Sequence, residues 1–209
     1  VVALVADNKV ANSASVGSDV AVFLVVTPFY GEMGGQVGDI GVIKTDMGTV
    51  EVTDTIHVVG GKIAHIGTVV DGTISVGEKA EAKIDSKNRM SISRNHSATH
   101  LLQKALRDVL GTHVEQAGSY VSADRLRFDF THFQAMTPEE IKKVEDIVNE
   151  KIFEAIDINI SQKTLDEARK EGAMALFGEK YGQIVRVVNM GGYSVELCGG
   201  AHLKNTAQI

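Results

Sequence analysis

Two histidines four residues apart, joined much later in the chain by a cysteine and a third histidine, constrain this 209-residue sequence more than any other feature. Residues four apart on a helix share a face, so His96 and His100 can present two imidazoles to a single point. Cys198 and His202 add a thiol and a third imidazole. Three nitrogens and one sulfur form a donor set that suits zinc. The pattern therefore predicts a zinc site, provided that the two segments meet.

The helix expected to carry His96 and His100 has an apolar side to bury. Apolar residues recur at helical spacing behind the histidines, at Leu101, Leu102, Ala105, Leu106, Val109 and Leu110. Because the chain has seven histidines, a pair at this spacing is a weak signal by itself. The alternative is a set of separate polar residues, partly buried and hydrogen-bonded. The single cysteine, placed close before His202, strengthens the prediction of a metal site.

The composition is that of a folded chain with a sizeable core. Hydrophobic residues make up 44% of it, enough for one large domain or two small ones. No run of about 18 apolar residues is present, so we expect no membrane span. One cysteine excludes an internal disulfide and fits a reducing compartment, which predicts a cytoplasmic protein. The formal net charge of −6 gives no general attraction for RNA, but it leaves room for a local basic patch.

The first part of the chain, to about residue 85, favours β-structure. Runs rich in β-branched residues at 1–6 and 21–26 are followed by strand-like segments at 48–52, 56–59, 62–70 and 79–84. Gly60-Gly61 and Asp71-Gly72 are hairpin turn signals, and short strands at this spacing predict a small closed barrel. A polar break at 85–89 marks the expected boundary. We therefore predict an α+β chain, with a β-barrel at 1–87 and a zinc-binding α/β domain at 88–209.

A glycine-rich stretch lies inside the predicted barrel, at residues 27–41. Its five glycines, among them Gly34 and Gly35, can bring backbone amides close to a phosphate or a ribose. The competing interpretation is a tight corner of the barrel. No phosphate-loop lysine pattern accompanies these glycines, so both interpretations stay open.

The second part of the chain mixes helices and strands. The histidine helix is predicted at 91–110, with Gly111 as its stop. Thr137-Pro138-Glu139-Glu140 and Thr164-Leu165-Asp166-Glu167 are capping boxes, which predict one helix to about residue 155 and a short one that Gly172 closes. Strands are predicted at 113–121, 125–130, 156–163, 184–189 and 193–197. Cys198 then follows a strand, where Gly199-Gly200 can turn it and His202 towards a helix face.

The sequence closely resembles the editing region of bacterial alanyl-tRNA synthetase in five segments, at residues 27–41, 95–102, 125–130, 172–182 and 196–202. The last two are specific to that enzyme and its relatives, and the resemblance covers nearly the whole chain. One departure is visible, because the family usually has threonine where this chain has Ala201. The missing initiator Met also fits an excised piece of a longer protein.

The resemblance implies a barrel joined to an α/β domain that holds zinc through His96, His100, Cys198 and His202. The implied reaction is hydrolysis of serine or glycine wrongly esterified to alanine tRNA. Thr99 and Gln116 match the family's polar pocket positions, and we expect Thr99 on an exposed helix turn. Gly34, Gly35 and Gln36 are expected near the terminal nucleotide, and Arg94 near the RNA. The implied partners are the acceptor end of alanine tRNA and the remainder of the synthetase chain.

Other functions are compatible with these residues. The freestanding alanyl-tRNA editing proteins share the zinc motifs, and the related editing domain of threonyl-tRNA synthetase is a further alternative. A zinc-stabilised RNA-binding module without chemistry is also possible, since four protein ligands usually mark a structural zinc site. Position 97 is serine, so the metalloprotease arrangement with a glutamate base between two histidines is absent.

Overall fold

The computed structural model describes residues 1–174 and 182–209, and it divides into two compact units, Val1–Arg89 and Met90–Ile209. The first unit is built from eight strands: β1 (Ala3–Ala6), β2 (Lys9–Val10), β3 (Ser13–Ser15), β4 (Asp19–Phe23), β5 (Gly41–Lys44), β6 (Gly48–Val58), β7 (Lys62–Ser75) and β8 (Glu81–Ile84). The mixed α and β character predicted from the sequence is confirmed. Within the described residues, no helix is long and apolar enough to cross a membrane.

The predicted closed barrel is wrong, because the strands of the first unit form an open sheet. Their order is β2-β1-β4-β7-β6-β5-β8, and β3 pairs with the end of β7. Within this fully described unit, the edge strands β2 and β8 do not pair with each other. The sheet instead curls around one apolar core, which includes Leu4, Val20, Val22, Phe29, Ile43, Val50, Val52, Val69 and Ile74.

Strands β6 and β7 are longer than the sequence indicated. The segments predicted separately at 48–52 and 56–59 form one strand, since a register shift between Val52 and Asp54 absorbs the polar residues between them. Asp71-Gly72 does not form a turn. Gly72 has a φ of 61° and lies within β7, opposite Gly48, next to another register shift. Gly60-Gly61 does connect β6 to β7, as predicted, with both φ angles positive.

The glycine-rich stretch contains a tight turn at Gly34 and Gly35. Met33 and Gln36 exchange both backbone hydrogen bonds across it, at 3.2 and 3.1 Å. The φ angles of the two glycines are 61° and 84°, which are values that other residues rarely adopt. The turn therefore requires these glycines for its own geometry. A Gly35→Val change would strain the turn, so it cannot test a binding role with the fold unchanged.

A buried carboxylate anchors the end of this stretch. Asp39 is 1% exposed, and its Oδ2 accepts a hydrogen bond of 2.6 Å from the backbone N–H of Tyr30. The Nε of Arg89 donates to Oδ1 of Asp39 at 2.7 Å, and the Nη2 of Arg89 also contacts the carboxylate. The pair compensates a charge that would otherwise be buried alone.

We expect Arg89→Ala to lower the free energy of unfolding by about 2 kcal/mol, because it leaves the carboxylate of Asp39 buried and undercompensated. The hydrogen bond from Tyr30 remains, which limits the loss. Urea unfolding of the variant measures the change. Lys87→Ala removes an exposed cation nearby and is the matched control. Equal stability of the two variants would contradict this account of the pair.

The described part of the second unit holds most of helix α1 (Ser86–Leu110) together with a hairpin, two further α-helices, a three-stranded sheet and a short 3-10 helix at Thr206–Gln208. Its other elements are β9 (Gln116–Val121), β10 (Leu126–Phe130), α2 (Pro138–Phe153), β11 (Ile158–Thr164), α3 (Leu165–Lys170), β12 (Ile184–Met190) and β13 (Ser194–Leu197). Strands β9 and β10 pair with each other, and the sheet order is β11-β12-β13. Most of the segment 172–182 that contributed to the resemblance lies outside the described residues.

Local signals set several boundaries in this unit. Both capping boxes are present, with Thr137 and Thr164 as the N-caps of α2 and α3. Gly111 follows α1 with a φ of 116°, as expected of a helix stop. Helix α1 starts five residues earlier than predicted, because the Oδ1 of Asp85 accepts the N–H groups of Lys87 and Asn88. The segment 85–89, which is predicted from the sequence as a break between domains, therefore contains the side chain that caps the N-terminus of α1.

Candidate metal centre

Four side chains from two distant segments converge in the second unit. His96 and His100 lie one turn apart on α1, Cys198 follows β13, and His202 lies in the next loop. One ligand atom from each lies within 4.8 Å of the others, so the group could hold a metal ion. The Sγ of Cys198 is 3.4 Å from Nε2 of His96 and 3.3 Å from Nε2 of His202. Tetrahedral zinc, at its usual bond lengths, separates a nitrogen and a sulfur ligand by about 3.5 Å, so the donor set fits zinc.

The apolar core positions both segments. Leu101, next to His100, is fully buried against Val188 and Met190 of β12. Leu203, next to His202, belongs to the same cluster. Burial of these two leucines fixes the adjacent histidines relative to each other, because a packed core allows little displacement.

Arg186 on β12 holds the loop that carries Cys198. Its Nη1 donates to the carbonyl oxygens of Cys198 and Gly200, at 2.7 Å each. The backbone N–H of Cys198 donates back to the carbonyl of Arg186 at 3.0 Å. The N–H of Gly200 lies 3.4 Å from the sulfur of Cys198. The loop is thus ordered by the protein itself.

A polar group lies near Nδ1 of two of the histidines. The hydroxyl of Ser97 lies 3.2 Å from Nδ1 of His202, and it accepts the N–H of Leu203 at 3.2 Å. The Nδ1 of His100 lies 3.4 Å from Oε2 of Glu196, without hydrogen-bond geometry among the described residues. A hydrogen bond at Nδ1 orients a metal-binding imidazole and leaves Nε2 for the ion, and Ser97 can do this for His202.

The sequence reasoning missed Glu196, Ser97 and Arg186. Glu196 was detectable, because it precedes Cys198 by two residues and alternate residues of a strand share a face. Ser97 was considered only as the residue that replaces a glutamate base. Arg186 gave no sequence signal, since its role depends on the pairing of β12 with β13.

Burial sets the charge states of the group. It lowers the pKa of His96 to about 3 and that of His100 to about 4, and the neighbouring Arg186 adds to both shifts. Both imidazoles are therefore neutral at pH 7, which is the form that binds a metal. Burial raises the pKa of Glu196 to about 7.

We expect Ser97→Ala to weaken zinc binding by roughly tenfold, because partners of metal-binding histidines typically contribute 10–100-fold to affinity. Competition with a chromophoric chelator measures the change. Ser93→Ala, which removes another buried serine one turn earlier on α1, should leave the affinity unchanged. Equal affinities for the two variants would show that Ser97 does not orient His202.

The other predicted site residues lie in different surroundings. Thr99 is buried rather than exposed as predicted, and its hydroxyl donates to the carbonyl of Asn95 at 2.8 Å. Gln116 is the half-buried first residue of β9. Arg94 is exposed, and its Nε donates to the carbonyl of Gln208 at 3.0 Å. Gly34, Gly35 and the buried Gln36 belong to the first unit, whereas the histidine and cysteine group belongs to the second.

Comparison with protein families gives two matches. Residues 1–88 match the family described as tRNA synthetases class II (A). Residues 185–209, which include Cys198 and His202, match the threonyl and alanyl tRNA synthetase second additional domain. Both matches are to families of aminoacyl-tRNA synthetases, and this defines the class of protein.

The similar curated proteins identify which synthetase. The chain is 58% identical to the alanine–tRNA ligase of Acetivibrio thermocellus over 205 residues, which is 98% of this chain and 23% of that protein. It is 53% identical to the alanine–tRNA ligase of Thermoanaerobacter sp. strain X514 and 54% identical to that of Bacillus cytotoxicus. Both matches cover the whole of this chain and 24% of the relative. The chain belongs to the alanyl-tRNA synthetase family, and it spans about a quarter of the length of these relatives. The resemblance predicted from the sequence is confirmed.

Proposed function

We propose that this chain edits mischarged tRNA, by zinc-dependent hydrolysis of the ester in Ser-tRNA(Ala) and Gly-tRNA(Ala). The observation that carries the proposal is the convergence of His96, His100, Cys198 and His202 in a chain of this family. Bound zinc would polarise the ester carbonyl or lower the pKa of a water molecule. Cys198 and His202 are partly exposed, which leaves the group accessible from their side.

The residues around the group have defined tasks in this proposal. The neutral imidazoles of His96, His100 and His202 would hold the metal, while Ser97 orients the ring of His202. Thr99 and Gln116 are the polar partners that recognise substrate. A site that binds the hydroxyl of serine leaves those partners unpaired when alanine enters, and such sites can discriminate by about four orders of magnitude.

The substrate in this proposal is the acceptor end of tRNA(Ala) carrying serine or glycine, and the remainder of the synthetase chain is a partner. The backbone of the turn at Gly34 and Gly35, which the buried Gln36 closes, approaches the terminal nucleotide, and Arg94 approaches the RNA. A Cβ at Gly34 would meet no atom within 4 Å, so the turn is accessible. The proposed domains are 1–87 and 88–209, and the cytoplasmic location belongs to the same proposal.

A second candidate is a zinc-stabilised RNA-binding module without chemistry. It is favoured by the complete set of four protein ligands, which is typical of structural zinc sites. Deacylation of purified Ser-tRNA(Ala) by this chain, compared with buffer and with Ala-tRNA(Ala), separates the two. Turnover of many equivalents of Ser-tRNA(Ala) would support editing. Binding without deacylation would support the module.

A further inference from the structure

The outer face of the β9–β10 hairpin presents an aromatic ring with two arginines. The register pairs Tyr120 with Arg127 across the strands, and side chains alternate between the two faces. Arg125 lies two residues before Arg127, on the same side. Phe128 and Phe130 lie on the other face, where they pack against the core of the unit. The hairpin is therefore anchored from behind and has a polar aromatic surface in front.

Both arginines on this face are exposed to solvent. The guanidinium carbon of Arg125 lies 5.9 Å from the centroid of the Tyr120 ring. Asp129 is the carboxylate on the same face, and its Oδ2 lies 3.2 Å from Nε of Arg127. The Arg127 side chain remains 66% exposed. Tyr120 itself is 38% exposed, so its ring is accessible to a planar partner.

The hairpin is fastened directly to the helix turn that carries the metal-binding histidines. The Nδ2 of Asn95 donates to the carbonyl oxygens of Ser122 and Ala123, at 2.8 and 3.3 Å. These two residues lie in the four-residue turn between β9 and β10, and Asn95 immediately precedes His96. The hairpin is thus fastened to the helix that carries His96 and His100.

We propose that Tyr120, Arg125 and Arg127 bind the unpaired 3′ end of the RNA whose ester is hydrolysed at the centre. The inference rests on the proposed function. Because the chain has a net charge of −6, affinity for phosphate must come from local cations. Guanidinium groups donate paired hydrogen bonds to phosphate oxygens, and a tyrosine ring stacks on unpaired bases of any identity.

The test measures binding of an RNA hairpin that carries no amino acid and has the tRNA(Ala) acceptor stem with its unpaired 3′ end. The double variant Arg125→Gln/Arg127→Gln should bind at least about tenfold more weakly at low salt. The slope of log affinity against log salt should fall by about 1.4, since each single-strand phosphate contact contributes about 0.7. Lys142→Gln/Lys143→Gln removes the same charge from the exposed surface of α2 and should change neither quantity.

The ring is tested separately. Tyr120→Ala should weaken binding about 5- to 50-fold with the salt slope unchanged, as expected for loss of one stacked base. Tyr120→Phe keeps the ring and should bind as the unsubstituted protein does. If Tyr120→Ala and Tyr120→Phe lost equal affinity for the RNA, the proposed role of the ring would be overturned. If the double arginine variant bound the RNA within twofold of the double lysine control, the proposed RNA-binding surface would be overturned. The RNA in this test carries no amino acid, so the binding results do not depend on ester hydrolysis. If the unsubstituted protein failed to hydrolyse Ser-tRNA(Ala), editing would be refuted and the binding results would still stand.

Discussion

Cys198→Ser is expected to weaken zinc binding by more than about 100-fold. The thiolate is the soft donor of the group, and its sulfur lies within 3.4 Å of two imidazole nitrogens. Structural zinc sites bind with about 10–16 kcal/mol, so one ligand of four accounts for roughly 3 kcal/mol, which is more than 100-fold. Metal content after dialysis and competition with a chelator measure the loss.

His57→Ala is the control for this substitution, because it removes an exposed histidine from the first unit. It should retain one zinc per chain with unchanged affinity. The account would be contradicted by a Cys198→Ser protein that keeps stoichiometric zinc with the affinity of the unsubstituted chain.

Thr99→Val and Gln116→Ala are each expected to slow deacylation of Ser-tRNA(Ala) by roughly ten- to a hundredfold while zinc stays bound. Loss of one hydrogen bond costs about 0.5–1.5 kcal/mol, and more where a buried partner is stranded, while each 1.36 kcal/mol is tenfold in rate. The hydroxyl of Thr99 donates to the carbonyl of Asn95, so its oxygen can still accept a hydrogen bond from the hydroxyl of serine.

Single-turnover kinetics on Ser-tRNA(Ala) and Ala-tRNA(Ala), with metal content measured in parallel, test both variants. Valine is nearly isosteric with threonine, so the first variant tests the hydroxyl and is expected to admit alanine more readily. Gln162→Ala, at an exposed position of β11, is the control for the second. If both variants hydrolysed Ser-tRNA(Ala) and Ala-tRNA(Ala) at the rates of the unsubstituted protein, selectivity would reside in other groups.

The sequence was sufficient for features that depend on short-range geometry. The spacing of His96 and His100 defines one helix face regardless of the rest of the fold. Both capping boxes were predicted because each is complete within four residues. The four donors of the candidate centre come together because each pair is followed by a leucine of the same core, Leu101 and Leu203.

Features that depend on long-range pairing could not be predicted. The barrel prediction failed because closure requires two edge strands to meet, and no local pattern encodes this. Thr55 illustrates the difficulty within β6. It is fully buried, and its hydroxyl donates to the carbonyl of Asp39 at 2.7 Å. A polar residue in a segment predicted to separate two strands therefore lies inside one continuous strand. Thr99 was misplaced for a similar reason, since α1 is buried on more than its apolar side.

The most direct test of zinc-dependent editing is the rate of Ser-tRNA(Ala) deacylation as a function of zinc occupancy. The metal is removed with a chelator and restored in steps, and the rate is measured beside that of Ala-tRNA(Ala). We predict that hydrolysis of Ser-tRNA(Ala) rises in proportion to bound zinc up to one ion per chain, with little hydrolysis of Ala-tRNA(Ala). A folded, zinc-free protein that deacylates Ser-tRNA(Ala) at the full rate would contradict the account.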